Sequence, residues 1–297
     1  MSIETDHLPR RLWWVLGALT FAWGFNWTAL KVALSEVPPW TFRTLCLGLG
    51  SAVLFAALRA GGQPLGVPKG QWGRLALLAF FSITCWNMLI AFGIPRIPSG
   101  RASILAYTMP IWALPLSVWV LHERVTGRKL VGLGLGIVGL ALLLAENPGG
   151  VSAAPLGSLL IVGAAISWAV GTVLQKRLPV NMPLGAYTAW IMLLGGLPIF
   201  IGALALEDLT SLRNISLEPA LGVAYNVFIA FAFAHWAWIK IATSVPVSVF
   251  SISMLIIPVI GVLSGVVFLG ERPSWAEVAA LFCVLGALAT VIRPRAR

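Results

Sequence analysis

Trp23, Gly24, Asn26 and Trp27 crowd into one stretch of five residues. Spacings of three and four put Trp23, Asn26 and Trp27 on one face of a helix. Indole rings stack on apolar or aromatic partners. A carboxamide both donates and accepts hydrogen bonds. Gly24 lets a neighbour or a ligand come close to the backbone. Similar residues recur along the chain: Trp86 beside Asn87, Tyr107 with Met109 and Pro110, Trp168 with Gly171, then Asn226, His235, and Ser253 ahead of Pro258. This is the chemistry of holding a small molecule, through stacking, sulfur–aromatic contact and neutral hydrogen bonds. Every member also has a packing reading. Asn26 and Asn87 serve equally as interhelical hydrogen bonds, His235 as a satisfied structural histidine, and Pro110 and Pro258 as plain kinks rather than, with Gly24, gates or hinges.

Bond-breaking chemistry has little to work with. The three histidines stand at positions 7, 122 and 235, and Cys46, Cys85 and Cys283 lie far apart in apolar segments. Neither set offers a metal spacing, a disulfide framework or a nucleophile with its base, so no cofactor and no metal is expected, and the chain is not read as an enzyme. Gly134-Leu135-Gly136-Ile137-Val138-Gly139 satisfies a dinucleotide-binding pattern formally. It lies inside an apolar run with no strand before it, so it reads as a close helix seam, with Gly132 and Gly136 at the small-residue spacing and Gly261 and Gly265 likewise. No Walker lysine motif is present to couple the chain to ATP. No Asp or Glu falls near the middle of an apolar run. His235 is the single mid-depth group that titrates near neutrality, so downhill movement is expected rather than strict cation coupling.

The elements that must position these residues follow from composition. The 297 residues are 59% hydrophobic and 10% charged, with a mean hydropathy of +0.93. Soluble domains carry about 25% charge, so lipid must be the outer solvent. A bilayer-spanning helix needs about 20 apolar residues, and ten runs fit: Leu12–Leu34, Trp40–Leu58, Trp72–Ile94, Pro98–Leu121, Gly127–Ala145, Leu156–Gln175, Pro183–Leu206, Pro219–Ile241, Pro246–Gly270 and Trp275–Ile292. The runs are too long, and alternate too little, for a β-barrel. With the N-terminus inside, fourteen basic residues face the cytoplasm: Arg10, Arg11, Arg59, Lys69, Arg74, Arg124, Arg128, Lys129, Lys176, Arg177, Lys240, Arg293, Arg295 and Arg297. Five face outward, namely Lys31, Arg96, Arg101, Arg213 and Arg272. The positive-inside rule therefore expects both termini in the cytoplasm of a multi-pass inner-membrane protein. The net charge of +10 is spread over short loops and forms no nucleic-acid stripe. Arg43 stands near the outer end of the second run.

The halves resemble each other. Met109-Pro110-Ile111 and the later Glu123-Arg124 recur as Ile257-Pro258-Val259 and Glu271-Arg272, each 148 positions on. Pro98 to Pro110 maps onto Pro246 to Pro258 by the same offset, which also sets Asn87 opposite His235. Trp23 and Trp168, and Lys31 and Lys176, stand 145 apart. Five crossings per half is an odd number, so residues 1–150 and 151–297 must enter the membrane from opposite sides as two inverted repeats around a central cavity. On these features — ten runs, two halves, the Trp-Gly-x-Asn-Trp element and the proline to Glu-Arg pattern — the chain resembles the EamA family of the drug/metabolite transporter superfamily. Within it, the chain is most similar to bacterial amino-acid exporters, the aromatic type included. The resemblance implies a secondary transporter working by alternating access, expected to act as a monomer on a small-molecule substrate in the lipid bilayer. Amino acids are the expected cargo. Hydrophobic drugs stand second, and a membrane enzyme or a channel further off. A sugar-phosphate cargo is disfavoured, because no Arg or Lys is evident in the interior beyond Arg43 and Lys31 near the outer end.

Overall fold

The computed structural model describes residues 10–123, 125–145, 153–244 and 247–292. They are helical almost throughout, with no strand among the described residues. In hydrocarbon every backbone N–H and C=O must be satisfied locally, and a helix does this within one segment. The elements are α1 (Arg10–Ala33), α2 (Pro39–Ala60), α3 (Trp72–Ala79), a π-helical segment (Phe80–Cys85), α4 (Trp86–Gly93), α5 (Ser99–Ala106), α6 (Met109–Leu121), α7 (Gly127–Ala145), α8 (Ala153–Arg177), α9 (Leu184–Leu206), α10 (Leu217–Ala224), a second π-helical segment (Tyr225–Phe233), α11 (Ala234–Ser244), α12 (Val247–Leu269) and α13 (Trp275–Ile292).

Among the described residues, six helical rods are long and apolar enough to cross a membrane: 39–60, 72–96, 99–121, 155–177, 184–206 and 217–241. Two shorter apolar helices cover 255–269 and 275–290. α1 carries Arg10, Arg11, Asn26 and Lys31 among its apolar residues.

Three of the expected helices are not uniform. The run read as one helix over Trp72–Ile94 carries the π segment at its middle, and the rod from Leu217 to Ser244 carries another. A π turn shifts the hydrogen-bond register and leaves carbonyls short of donors. Asn87 Nδ2 donates to the Ile83 carbonyl at 2.9 Å, and Asn226 Nδ2 to the Gly222 carbonyl at 2.9 Å. The run expected over Pro98–Leu121 breaks between Ala106 and Met109. Pro110 has no N–H for the carbonyl four residues back, at Ala106, and its ring crowds that group, so α5 stops there. The proline then sits in the first turn of α6, where its N–H is not needed. α12, by contrast, runs unbroken through Pro258.

Packing is by pairs: α13 on α7, α2 on α9, α1 on α12, and α8 on α4 and α6. Close approach falls at glycines. A Cβ on Gly24 would lie 2.5 Å from Ile260 Cβ, so Gly24 lies at a helix–helix contact within an unbroken α1. The expected Gly132 and Gly136 seam divides between two neighbours. Gly132 and Gly139 face α13, while Gly136 faces Ile111 of α6.

α6 and α12 end alike. His122 (φ 55°) and Gly270 (φ 64°) adopt left-handed backbone. Glu123 N then donates to the Ser117 carbonyl at 3.4 Å, and Glu271 N to the Gly265 carbonyl at 3.1 Å. This is the six-to-one closure of a Schellman cap. It delivers each glutamate to the end of the helix bundle.

Candidate functional site

At the end of the bundle that carries Lys31, the Glu271 carboxylate gathers four donors. Lys31 Nζ lies at 3.0 Å, Ser99 N at 2.7 Å, Ser99 Oγ at 3.0 Å and Gly100 N at 3.1 Å. Ser99 and Gly100 open α5, whose unpaired amides and dipole favour an anion. Lys31 also donates to the Ile97 carbonyl at 2.9 Å. Burial pushes the Glu271 carboxyl pKa up, but the Ser99 amide, Lys31 and the Gly100 amide together hold it below the ordinary value of 4.5. Nearby, Thr28 and Ser264 share a hydrogen bond at 2.7 Å between α1 and α12. Any Cβ at Gly265 would collide with Ser99 Oγ and the Glu271 carboxylate. This end is closed by α5 seated on α12.

The opposite end differs. Glu123 pairs with Lys129 at 3.0 Å and Lys176 at 3.2 Å, which lower its carboxyl pKa. The Lys176 side chain is 61% exposed, against 28% for Lys31. A cavity of about 400 Å³ opens beside the pair, bordered by Pro110, Leu114, Ser117, Glu123, Val173 and Lys176 among others. No helix end fills it among the described residues.

Between the two ends the structure sorts the sequence candidates into two aromatic groups rather than one ring. In the first, Trp23 Nε1 donates to the Ala230 carbonyl at 3.2 Å, and its ring meets His235 edge-on at 5.8 Å. His235 stacks on Phe231 at 5.4 Å. Its Nδ1 lies 2.9 Å from the Phe231 carbonyl and 3.2 Å from that of Ala230. Carbonyls only accept, so Nδ1 carries the hydrogen. In the second group, Trp86 and Trp168 lie 5.0 Å apart, and Gly171 lets α8 settle on Ser82 of the first π segment. The two π segments begin 145 positions apart, at Phe80 and Tyr225. That register sets Trp86 opposite Phe231, not Asn87 opposite His235.

The other candidates scatter. Trp27 is buried against the α12 seam at Gly261. Asn26 Oδ1 and Asn226 Oδ1 are buried with no hydrogen-bond partner, and such orphaned acceptors are rare in folded proteins. Asn87 is buried on its own helix. Tyr107 is buried at the α5–α6 break, with Met109 and Pro110 directly after it. The Pro258 carbonyl accepts weakly from Ser103 Oγ, at 3.4 Å. Ser253 falls on α12 with its side chain outside the described residues, and Pro246 lies outside them altogether. Sequence reasoning noted Arg43 near the outer end of its run but gave it no place in the site. It is only 3% exposed, and its Nε donates to the Asn87 carbonyl at 3.3 Å. The available signal was an arginine inside an apolar run, which marks function by default.

Comparison with known proteins places these features in context. The model of the EamA-like transporter family matches residues 12–145 and 155–293. The chain is similar to the uncharacterized transporter YoaV of Bacillus subtilis, 24% identical over 86% of this chain and 87% of that one. It is also similar to the probable amino-acid metabolite efflux pumps of Salmonella typhimurium and Escherichia coli. Both are 27% identical, over 90% and 84% of this chain and 89% and 84% of theirs. One solved crystal structure superposes with a TM-score of 0.64 at 20% identity, over 96% of this chain and 97% of its own. At that identity it speaks to the fold alone.

Proposed function

The chain belongs to the EamA-like transporter family, and from that premise we propose that it exports small neutral or zwitterionic metabolites, aromatic amino acids among them, by alternating access. The names of two relatives support an amino-acid cargo. The Trp23–His235–Phe231 and Trp86–Trp168 groups support an aromatic one, since each offers ring faces and edges for stacking. In this reading ten segments cross the inner membrane as two inverted halves, with both termini in the cytoplasm. The end at Glu271 then faces outward, and the end at Glu123 faces the cytoplasm.

One observation carries the mechanism. Four residues meet at the closed end: Lys31, Val262, Gly265 and Glu271. Their counterparts 145 or 148 positions away are Lys176, Leu114, Ser117 and Glu123, and all four border the open cavity. At the closed end that constellation grips the first turn of α5, whose repeat counterpart is the first turn of α12. In this reading the cavity is the seat that would receive the first turn of α12, and the two states would be an inward-open and an outward-open form. Seating α12 there and releasing α5 produces the outward-open state. An inverted repeat makes the two states near mirror images of one another.

No carboxylate lies at mid-depth to carry a coupling cation, so transport runs down the substrate gradient. Counterflow in proteoliposomes tests the reading against a panel of amino acids, amines and drugs. Saturable exchange of aromatic amino acids is expected, unchanged by an imposed pH gradient. Trp23→Ala and Trp168→Ala are each expected to lose roughly tenfold in apparent affinity, the scale of one lost stacking contact and its burial. Exchange that ignores both substitutions, or is absent for amino acids, contradicts it.

A further inference from the structure

Arg43 is the fifth residue of α2, and its side chain is almost wholly enclosed. The guanidinium carbon lies 5.2 Å from the Phe42 ring centre and 5.9 Å from that of Phe231. Nε is spent on the Asn87 carbonyl. Among the described residues no carboxylate pairs with this cation, and its terminal nitrogens have no hydrogen-bond partner. An enclosed charge without a counter-ion is costly. A second buried arginine is anchored differently. Arg101 donates to the Leu143 carbonyl near the end of α7, where the helix dipole welcomes a cation, although its Nε is buried without a partner. Arg43 has no such terminus. Instead its plane is fixed by two rings and one carbonyl, with the fork of terminal N–H groups left to bind. That fork matches a carboxylate in a two-point geometry.

The surroundings fit the rest of an aromatic amino acid. Phe231 carries the aromatic group onward through His235 to Trp23. Asn226 and Phe231 are five residues apart in one π segment, close to one π turn, and Asn226 Oδ1 is an enclosed acceptor in want of a donor. With its hydrogen on Nδ1, a neutral His235 keeps Nε2 as a second acceptor. Both are suited to an ammonium group.

We propose that Arg43 recognises the carboxylate of the transported molecule, so that the chain selects aromatic carboxylates over the matching amines. The proposal rests on the exporter reading and narrows its substrate class. The side chain is 3% exposed in the present state.

The test is direct binding to purified protein, with counterflow in parallel, using phenylalanine, 3-phenylpropanoate and 2-phenylethylamine. Wild type is expected to bind the first two and to bind the amine about tenfold more weakly or worse, the loss of one charge-assisted bond. Arg43→Met is expected to lose both carboxylates by at least about tenfold while keeping or raising its unfolding temperature, since apolar replacement of an unpaired buried charge is often neutral or stabilising. Arg43→Lys is expected to fall between the two, because an ammonium lacks the fork. Equal wild-type affinity for acid and amine overturns the proposal and needs no variant. Unchanged carboxylate affinity in Arg43→Met, or a lowered unfolding temperature with affinity retained, also overturns it and leaves the exporter reading intact. If wild type exchanges no amino acid at all, that reading fails and this one with it.

Discussion

Glu271 and Arg43 show how far single side chains were legible. Glu271 was readable as half of a repeated Glu-Arg pair, but its partners Ser99 and Gly100 lie about 170 residues away in sequence, and nothing local announces them. Arg43 was readable as an oddity in an apolar run. Its isolation depends on what α3, α4 and the second π segment fail to supply, which only packing reveals. The sequence candidates fared unevenly for the same reason. Trp23 and His235 meet, whereas Asn87 turns its amide back onto its own helix. For Glu271 the chemistry gives a sharp expectation. Glu271→Gln keeps shape and acceptor but removes the charge from Lys31 and the α5 amides, at a cost of about 1–3 kcal/mol. Because the folded carboxyl sits below 4.5, its stabilisation is fully present above that pH and drains away as pH falls through the folded value. Melting curves of wild type and Glu271→Gln are therefore expected to differ by a constant amount from neutrality down to about pH 5, and to converge in stronger acid. A gap that stays constant into strong acid contradicts this.

Elements were easier to place than to shape. Hydrophobic length located the helices, because lipid demands it. The α5–α6 break follows from Pro110, whose missing N–H falls four residues after Ala106. The π segments were hidden, since one shifted register leaves no mark in a long, mostly apolar run such as Trp72–Ile94. The glycine seams were half visible: spacing identified close approach, but Gly132 and Gly136 turned out to serve different neighbours. The matched caps carry a prediction at this scale. Gly270 holds a positive φ at no steric cost, while His122 holds nearly the same angle against its own Cβ. Gly270→Ala is expected to cost about 1–2 kcal/mol, and His122→Gly to gain less than that, because relief of the left-handed strain is partly offset by the freer unfolded chain. Thermal unfolding in detergent reads both. Equal effects in the same direction would remove the left-handed caps from the account.

At the scale of the whole molecule, offsets of 145 and 148 residues exposed two related halves, and the positive charges suggested which way they face. The sequence was silent on which end is shut. In the proposed alternating-access reading two related halves would encode both states, and the two ends differ in details such as Thr28 bonding Ser264 at one while Val173 faces a cavity at the other. Cross-linking reads that choice directly. A Cβ at Gly100 would lie 3.5 Å from Val262 Cβ, close to the separation of about 3.8 Å in a disulfide. The counterparts 148 positions away are Ser248 and Leu114. In a background without Cys46, Cys85 and Cys283, the account predicts that Gly100→Cys with Val262→Cys, and Ser248→Cys with Leu114→Cys, each form a disulfide. Each alone is expected to halt counterflow until reduced, and the two are expected not to form in the same molecule. Counterflow that persists with either bond in place, or both bonds closing together in an active protein, contradicts alternating access through these two seats.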